Sequence, residues 1–188
     1  MKSQNNYLAP FEWGNGKHIL EMFLEPTCPY SAKAFNKIDA LLAEAKENQL
    51  KVIVRFQSQP WHLFSGIIIR AILAASIMED GRNKAISVMK AIFAHREEFE
   101  FVDHCSGPNM ATTPNEIIER IFDLSGCDVS DAFQNKVLQN QIKWHAKYSR
   151  QNGIHVSPTF MIDGVVAPKM SSGDDIDKWL SEIESSIK

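Results

Sequence analysis

Cysteine is scarce in this sequence: three residues in 188, at Cys28, Cys105 and Cys127. So few, so widely spaced, cannot staple a small scaffold, which excludes the disulfide-framework class. They fit a reducing compartment or a single working thiol. Positive charge does not dominate either, with 20 Lys and Arg against 23 Asp and Glu and a net charge of −3. No block of Lys or Arg stands out, so no nucleic-acid partner is expected. No apolar run approaches the ~20 residues of a membrane helix, so no membrane partner is expected. Met1 to Tyr7 hold no apolar signal core. A cytoplasmic location is therefore expected, or a periplasmic or secreted one if a signal was removed. The six histidines show no metal-ligand spacing, so neither a metal nor a permanently bound cofactor is expected. Internal repeats and low-complexity linkers are missing too. What is there, 44% hydrophobic and 23% charged residues, is enough to bury a core in one domain of ordinary size.

The chain is organised around Glu25-Pro26-Thr27-Cys28-Pro29-Tyr30-Ser31-Ala32-Lys33. The run before it, His18 to Leu24, is apolar except for His18 and Glu21 and reads as a strand buried on both faces. After it Phe35, Ile38, Leu42 and Ala45 share one helical face. Cys28 thus sits where a strand ends and a helix begins, and Pro29 suits the first helical position. Unpaired N–H groups and the positive end of the helix dipole face such a residue. A thiolate is what they stabilise, with shifts from about 8.5 to between ~3.5 and ~7.5.

Residues 1–17 read as a lead-in with at most an edge strand around Leu8 to Phe11. Lys51 to Gln57 is a second strand, and strand–helix–strand at this spacing implies a right-handed parallel unit. The next ninety residues read as four helices. Ser65 to Met78 is apolar nearly all round. Ile86, Met89 and Phe93 mark the second helix. Thr113-Pro114-Asn115-Glu116 is a capping box opening the third, which stops near Gly126. Ser130 is expected to cap a long fourth helix ending at Asn152-Gly153. Thr159 to Ala167 reads as a hairpin about Asp163-Gly164, a pair that suits a type I′ turn. Ser172 is expected to cap a last helix carrying Ile176, Trp179, Leu180, Ile183 and Ile187.

This order, with Cys28-Pro29-Tyr30-Ser31 at the first strand-to-helix turn and Gly153-Ile154-His155-Val156-Ser157-Pro158-Thr159-Phe160 far downstream, resembles the DsbA-like branch of the thioredoxin superfamily. The resemblance runs from about His18 to Ser186. It implies an α/β thioredoxin-like fold with a four-helix insertion, the core at about 18–60 and 154–186 and the insert at about 62–152. It also implies a cis Ser157–Pro158 bond beside Cys28, and a backbone at Ser157 that pairs with an extended substrate. The chain departs from the family at Ser31, where classical members carry a second cysteine. The implied chemistry is half of the usual cycle: Cys28 attacks, a mixed disulfide forms, and an outside thiol such as glutathione resolves it. The implied activity is thiol–disulfide oxidoreductase or disulfide isomerase, its partners protein or small-molecule thiols and disulfides. The sequence also allows a homodimer.

Several residues carry two readings. Ser31 is either a third-position capping residue or a hydrogen-bond donor to the sulfur. Tyr30, beside Pro29, either shapes partner contact or is a plain exposed aromatic. Gly173 and Asp174 lie in Ser171-Ser172-Gly173-Asp174-Asp175, which resembles a glutaredoxin segment that holds glutathione at a helix start; an ordinary cap is the simpler reading. Trp61-His62, directly after the second strand, either approaches the active face or closes the core, the second being the simpler reading. Asp103-His104-Cys105 is given little weight, and Cys105 and Cys127 are read as bystanders. Two rivals to the leading activity remain. One is a glutathione-dependent transferase or isomerase of the kappa or 2-hydroxychromene-2-carboxylate type, whose members carry serine where this chain has Cys28. The other is a non-catalytic thiol trap.

Overall fold

The computed structural model describes residues 11–45 and 49–186. Five strands form one sheet: β1 (Glu12–Gly14), β2 (His18–Leu24), β3 (Leu50–Phe56), β4 (Thr159–Ile162) and β5 (Val165–Val166), in the order β1-β3-β2-β4-β5. β2 and β3 run parallel with Leu24 opposite Phe56. β1, β4 and β5 join antiparallel to their neighbours. The apolar run 18–24 sits at the sheet centre, where both faces are covered, which is why it carries no polar alternation. Leu20, Met22 and Leu24 join the main core, whereas Phe23 packs with Ile154, Met161 and Tyr148 on the other face.

The hairpin turns on Asp163 and Gly164, both with positive φ (48° and 86°), as a type I′ turn requires. Its Asp163 carboxylate accepts from the Ile19 N–H at 2.7 Å and meets His18 Nδ1 at 2.7 Å, stitching the turn to the start of β2. β4 is thereby fixed in register.

Eight helices surround the sheet among the described residues: α1 (Pro29–Phe35), α2 (Ile38–Glu44), α3 (Ser65–Ser76), α4 (Gly81–Ala94), α5 (Pro114–Ser125), α6 (Ser130–Phe133), α7 (Val137–Gln151) and α8 (Ile176–Ser186). The insert between β3 and β4 therefore holds α3 to α7, with 3₁₀ turns at Arg96–Phe99 and Pro108–Ala111. The Thr113–Glu116 capping box forms, and Gly126 ends α5 at φ 68°. Such a box contributes about 1 kcal/mol. No helix among the described residues is long and apolar enough to cross a membrane.

Four expectations need correction. The first helix is broken at Asn36-Lys37, because the Lys37 ammonium turns to the carbonyls of Ser172 and Asp174 and lies 5.1 Å over the Trp179 ring. The long fourth helix is likewise two: Val129 precedes the single turn α6, and α7 starts only at Val137. The first strand lies at Glu12–Gly14, while Leu8 to Pro10 fall outside the described residues, as does Ile187. Ser172 is buried and does not cap α8; the Asp175 carboxylate accepts from the Lys178 N–H at 2.8 Å instead.

Candidate active site

The sheet register brings three separate segments to one edge. Parallel β2 and β3 end side by side, so the chain leaving β2 delivers Cys28 and the chain leaving β3 delivers His62. β4 runs antiparallel to β2 with Thr159 opposite Phe23, so Ser157 and Pro158, just before it, arrive at the same edge. Loops beyond the carboxyl ends of parallel strands are where α/β sheets form ligand crevices.

Cys28 is the N-terminal flanking residue of α1, with extended backbone (φ −72°, ψ 126°) and Pro29 next. Its Sγ lies 3.9 Å from the Ser157 carbonyl oxygen. The Ser157–Pro158 peptide is cis. Gln59 Nε2 donates to the His155 carbonyl at 3.3 Å and Thr159 Oγ1 to the Val156 carbonyl at 2.7 Å, so the loop carrying Ser157 is tied down on both sides. Cys28 is only 6% exposed, yet it lines a cavity of about 400 Å³ with His62, His104 and Ser157. Tyr30 and Trp61, 59% and 48% exposed, stand at its rim.

Burial pushes the Cys28 thiol up. A hydrogen bond with His62, the backbone and hydroxyl of Ser31, and the backbone of Tyr30 act the other way and win, so the thiol ionises below its ordinary 9.0. For His62, burial favours the neutral ring. Hydrogen bonds to Cys28 and Glu100, with the charges of Glu25 and Glu100, overturn that and push it from 6.5 to about 9. Between these limits the pair is thiolate and imidazolium, the arrangement that makes a cysteine nucleophilic.

A buried network holds the imidazolium. Thr27 Oγ1 donates to Glu25 Oε1 at 2.9 Å and meets His62 Nδ1 at 2.9 Å. Glu100 Oε1 lies 3.4 Å from the same nitrogen. Glu25 is fully buried and also accepts from the Thr27 N–H at 3.0 Å and from Ser65 Oγ at 2.5 Å. Burial raises its pKa despite those donors and the charge of His62. Ser31, also fully buried, accepts the Glu25 N–H at 3.1 Å while its hydroxyl serves the sulfur.

Cys28, Pro29, Tyr30 and Ser157 therefore meet around one cavity, with Ser31 and Pro158 directly behind. Gly173 and Asp174 do not line it. Asp174 accepts from the Ser171 N–H at 2.8 Å and pairs with Lys178 at 2.7 Å, and the Gly173 N–H donates to Ser171 Oγ at 3.2 Å. Donors expected to hold glutathione there are spent on the loop itself. Trp61-His62 does not close the core: Trp61 is half exposed and His62 faces the sulfur. For Trp61-His62 the reading that favoured the core is the one overturned, and its place just past two adjacent parallel strands was the signal for the active face. Glu100 and His104, inside the insert, carry no such signal.

The sequence matches the family described as Thioredoxin over residues 14–182. Among solved structures, a Pseudomonas syringae protein provisionally named a protein-disulfide isomerase is 57% identical. The match covers 93% of this chain and 97% of that one at a TM-score of 0.90. Pseudomonas aeruginosa DsbA2 is 17% identical, covering 93% and 92% at a TM-score of 0.63. Xylella fastidiosa oxidoreductase DsbA is 20% identical, covering 92% and 84% at 0.61. These last two share the fold alone. No curated protein matches the chain.

Proposed function

Because the chain belongs to the thioredoxin family, we propose that it is a one-cysteine thiol–disulfide oxidoreductase or isomerase working through a mixed disulfide on Cys28. The observation that carries this reading is the Cys28–His62 pair set beside the Ser157 carbonyl. The Cys28 thiolate attacks one sulfur of a bound disulfide, and the other sulfur leaves as a thiolate that takes its proton from solvent, His62 keeping its own opposite Cys28. Ser157 offers its backbone to an extended partner, while Tyr30 and Pro29 meet the partner's flank. Ser31 hydrogen-bonds the sulfur but cannot form the internal disulfide. An outside thiol, glutathione being the natural candidate, then attacks the mixed disulfide and frees Cys28. Isomerisation and deglutathionylation fit this cycle; net oxidation of dithiols does not.

The test incubates the protein with a small glutathione mixed disulfide, follows turnover with reduced glutathione, and maps the adduct by mass spectrometry. The expected result is one adduct on Cys28, turnover, weak insulin reduction, and loss of all of these in Cys28→Ser. A stable adduct without turnover would point to a trap instead. Conjugation of an electrophile that survives in Cys28→Ser would point to a transferase.

A further inference from the structure

His104 has no part in the chemistry above, yet it is brought to the cavity by construction. It lies in a tight turn closed by Val102 N to Ser106 O (2.9 Å) and Ser106 N to Val102 O (3.0 Å). Asp103 and His104 both adopt left-handed backbone there, φ 50° and 61°. Left-handed backbone is disfavoured for residues with a Cβ. The turn is anchored before it by Phe101, packed edge-on against Phe64 at 5.3 Å. Asn109 anchors it after, donating to the carbonyls of Glu97 (3.2 Å) and Glu100 (2.7 Å). The outcome is an exposed His104 ring standing edge-on to His62, with centroids 5.2 Å apart, on the cavity that also exposes Cys28 and Ser157.

A one-cysteine cycle has a specific difficulty. Its second thiol arrives from solvent as the neutral thiol, with only a few per cent ionised at pH 7 for an ordinary value near ~8.5. A base inside the cavity would remove that handicap. The titratable groups lining it are Cys28, Tyr30, His62, Glu100 and His104. Cys28 is the leaving group, and a phenol is an acid rather than a base at neutral pH. His62 is buried, 7% exposed, with Nδ1 turned to Thr27 and Glu100 and its ring against the Cys28 sulfur, so it is engaged inside the site. Glu100 is turned to His62 at 3.4 Å and Arg96 at 3.3 Å. His104 is left, an exposed imidazole on the cavity with a ring nitrogen that can accept a proton.

We propose that His104 is the general base that deprotonates the external resolving thiol. This rests on the one-cysteine reading. In the step, the incoming thiol gives its proton to the His104 ring and its sulfur attacks the substrate sulfur of the mixed disulfide. A new disulfide forms between the incoming thiol and the substrate. The bond from substrate sulfur to Cys28 breaks, and its electron pair returns to Cys28 as thiolate opposite the His62 imidazolium. The His104 proton then leaves to solvent. The groups facing His104 are His62, from the segment after β3, and behind it Glu100 and Cys28; Asp103 adjoins on its own turn.

The experiment separates the half-reactions by stopped flow on the full chain. The first is attack of Cys28 on a glutathione mixed disulfide; the second is resolution of the isolated Cys28–glutathione adduct by reduced glutathione. His104→Ala and His104→Gln are expected to slow the second up to about 30-fold at pH 7, the factor by which a thiol of pKa ~8.5 is un-ionised there, and to slow it selectively. The deficit should shrink towards nothing with a resolving thiol acidic enough to be ionised already, or as pH rises past the thiol's own pKa. An equal deficit with ionised and neutral thiols, or resolution at the wild-type rate, would overturn the proposal. Failure of the wild-type protein to form the adduct would instead sink the one-cysteine reading on which it stands.

Discussion

Cys28 and Cys127 are equally buried, each 6% exposed, and their thiols move in opposite directions. Burial raises Cys127, with the Lys84 charge opposing and the Asp128 charge adding, and its sulfur lies 4.0 Å from Met78 Sδ. Burial raises Cys28 as well, but His62, Ser31 and the first N–H groups of α1 reverse it. Burial alone therefore does not say whether a cysteine is inert. The donors aimed at the sulfur do, and at the end of β2 they come from two segments, the start of α1 and the stretch after β3.

The largest effect expected from this comparison is loss of the sulfur itself. Cys28→Ser should abolish adduct formation, whereas Cys127→Ala should keep the wild-type rate, both read by mass spectrometry and glutathione-coupled turnover. The next is loss of the charge opposite it. His62→Ala should make Cys28 ionise at higher pH and slow its attack at pH 7, by about three- to fourfold for each unit of rise above pH 7 once the greater nucleophilicity of the more basic thiolate is counted. His62→Gln, which can donate without charge, should fall between. Both are checked by alkylation rate against pH. Ser31→Ala should cost only a few-fold in the same assay. It strips the buried Glu25 N–H of its acceptor, which should lower unfolding stability by roughly 1–3 kcal/mol in a denaturant titration.

How much of this was readable beforehand differs by residue. Cys28 and Pro29 announce themselves because local chemistry defines them, a strand end and a proline at a helix start; Ser157-Pro158 was legible only through the resemblance to the DsbA-like branch. His62 does not announce itself. Its role depends on the parallel pairing that sets Leu24 against Phe56, a relation between segments, and nothing in Trp61-His62 itself encodes it. His104 is harder still, since it reaches the cavity through a turn in the middle of the insert. The breaks at Asn36-Lys37 and at 134–136 were hidden for a related reason. Apolar spacing continues across both, and the contacts of Lys37 that turn the first one are over a hundred residues away.

The smallest effects sharpen the comparison most finely. Cys127→Ala should lower stability by about 1 kcal/mol without touching chemistry, as a modest core truncation does. A pH scan of stability should separate the paired thiol from its partner. The raised His62 contributes stability fully present below about 6.5 and lost as pH rises through about 9. The lowered Cys28 contributes stability present above 9.0 and lost as pH falls through its folded value. Across the shared window the folded pair and the unfolded pair each hold one proton, so the two slopes oppose and the wild-type curve should gain little slope from them. In Cys28→Ser, His62 loses the first of the interactions that raise it, so its titration in the folded protein should move down from about 9.

The most direct test of the central claim is a pH titration of the ultraviolet thiolate absorbance, taken as the difference between wild type and Cys28→Ser. The account predicts one ionisation clearly below the ordinary 9.0, moving upward in His62→Ala. A Cys28 titration at or above that ordinary value, indifferent to His62, would contradict it.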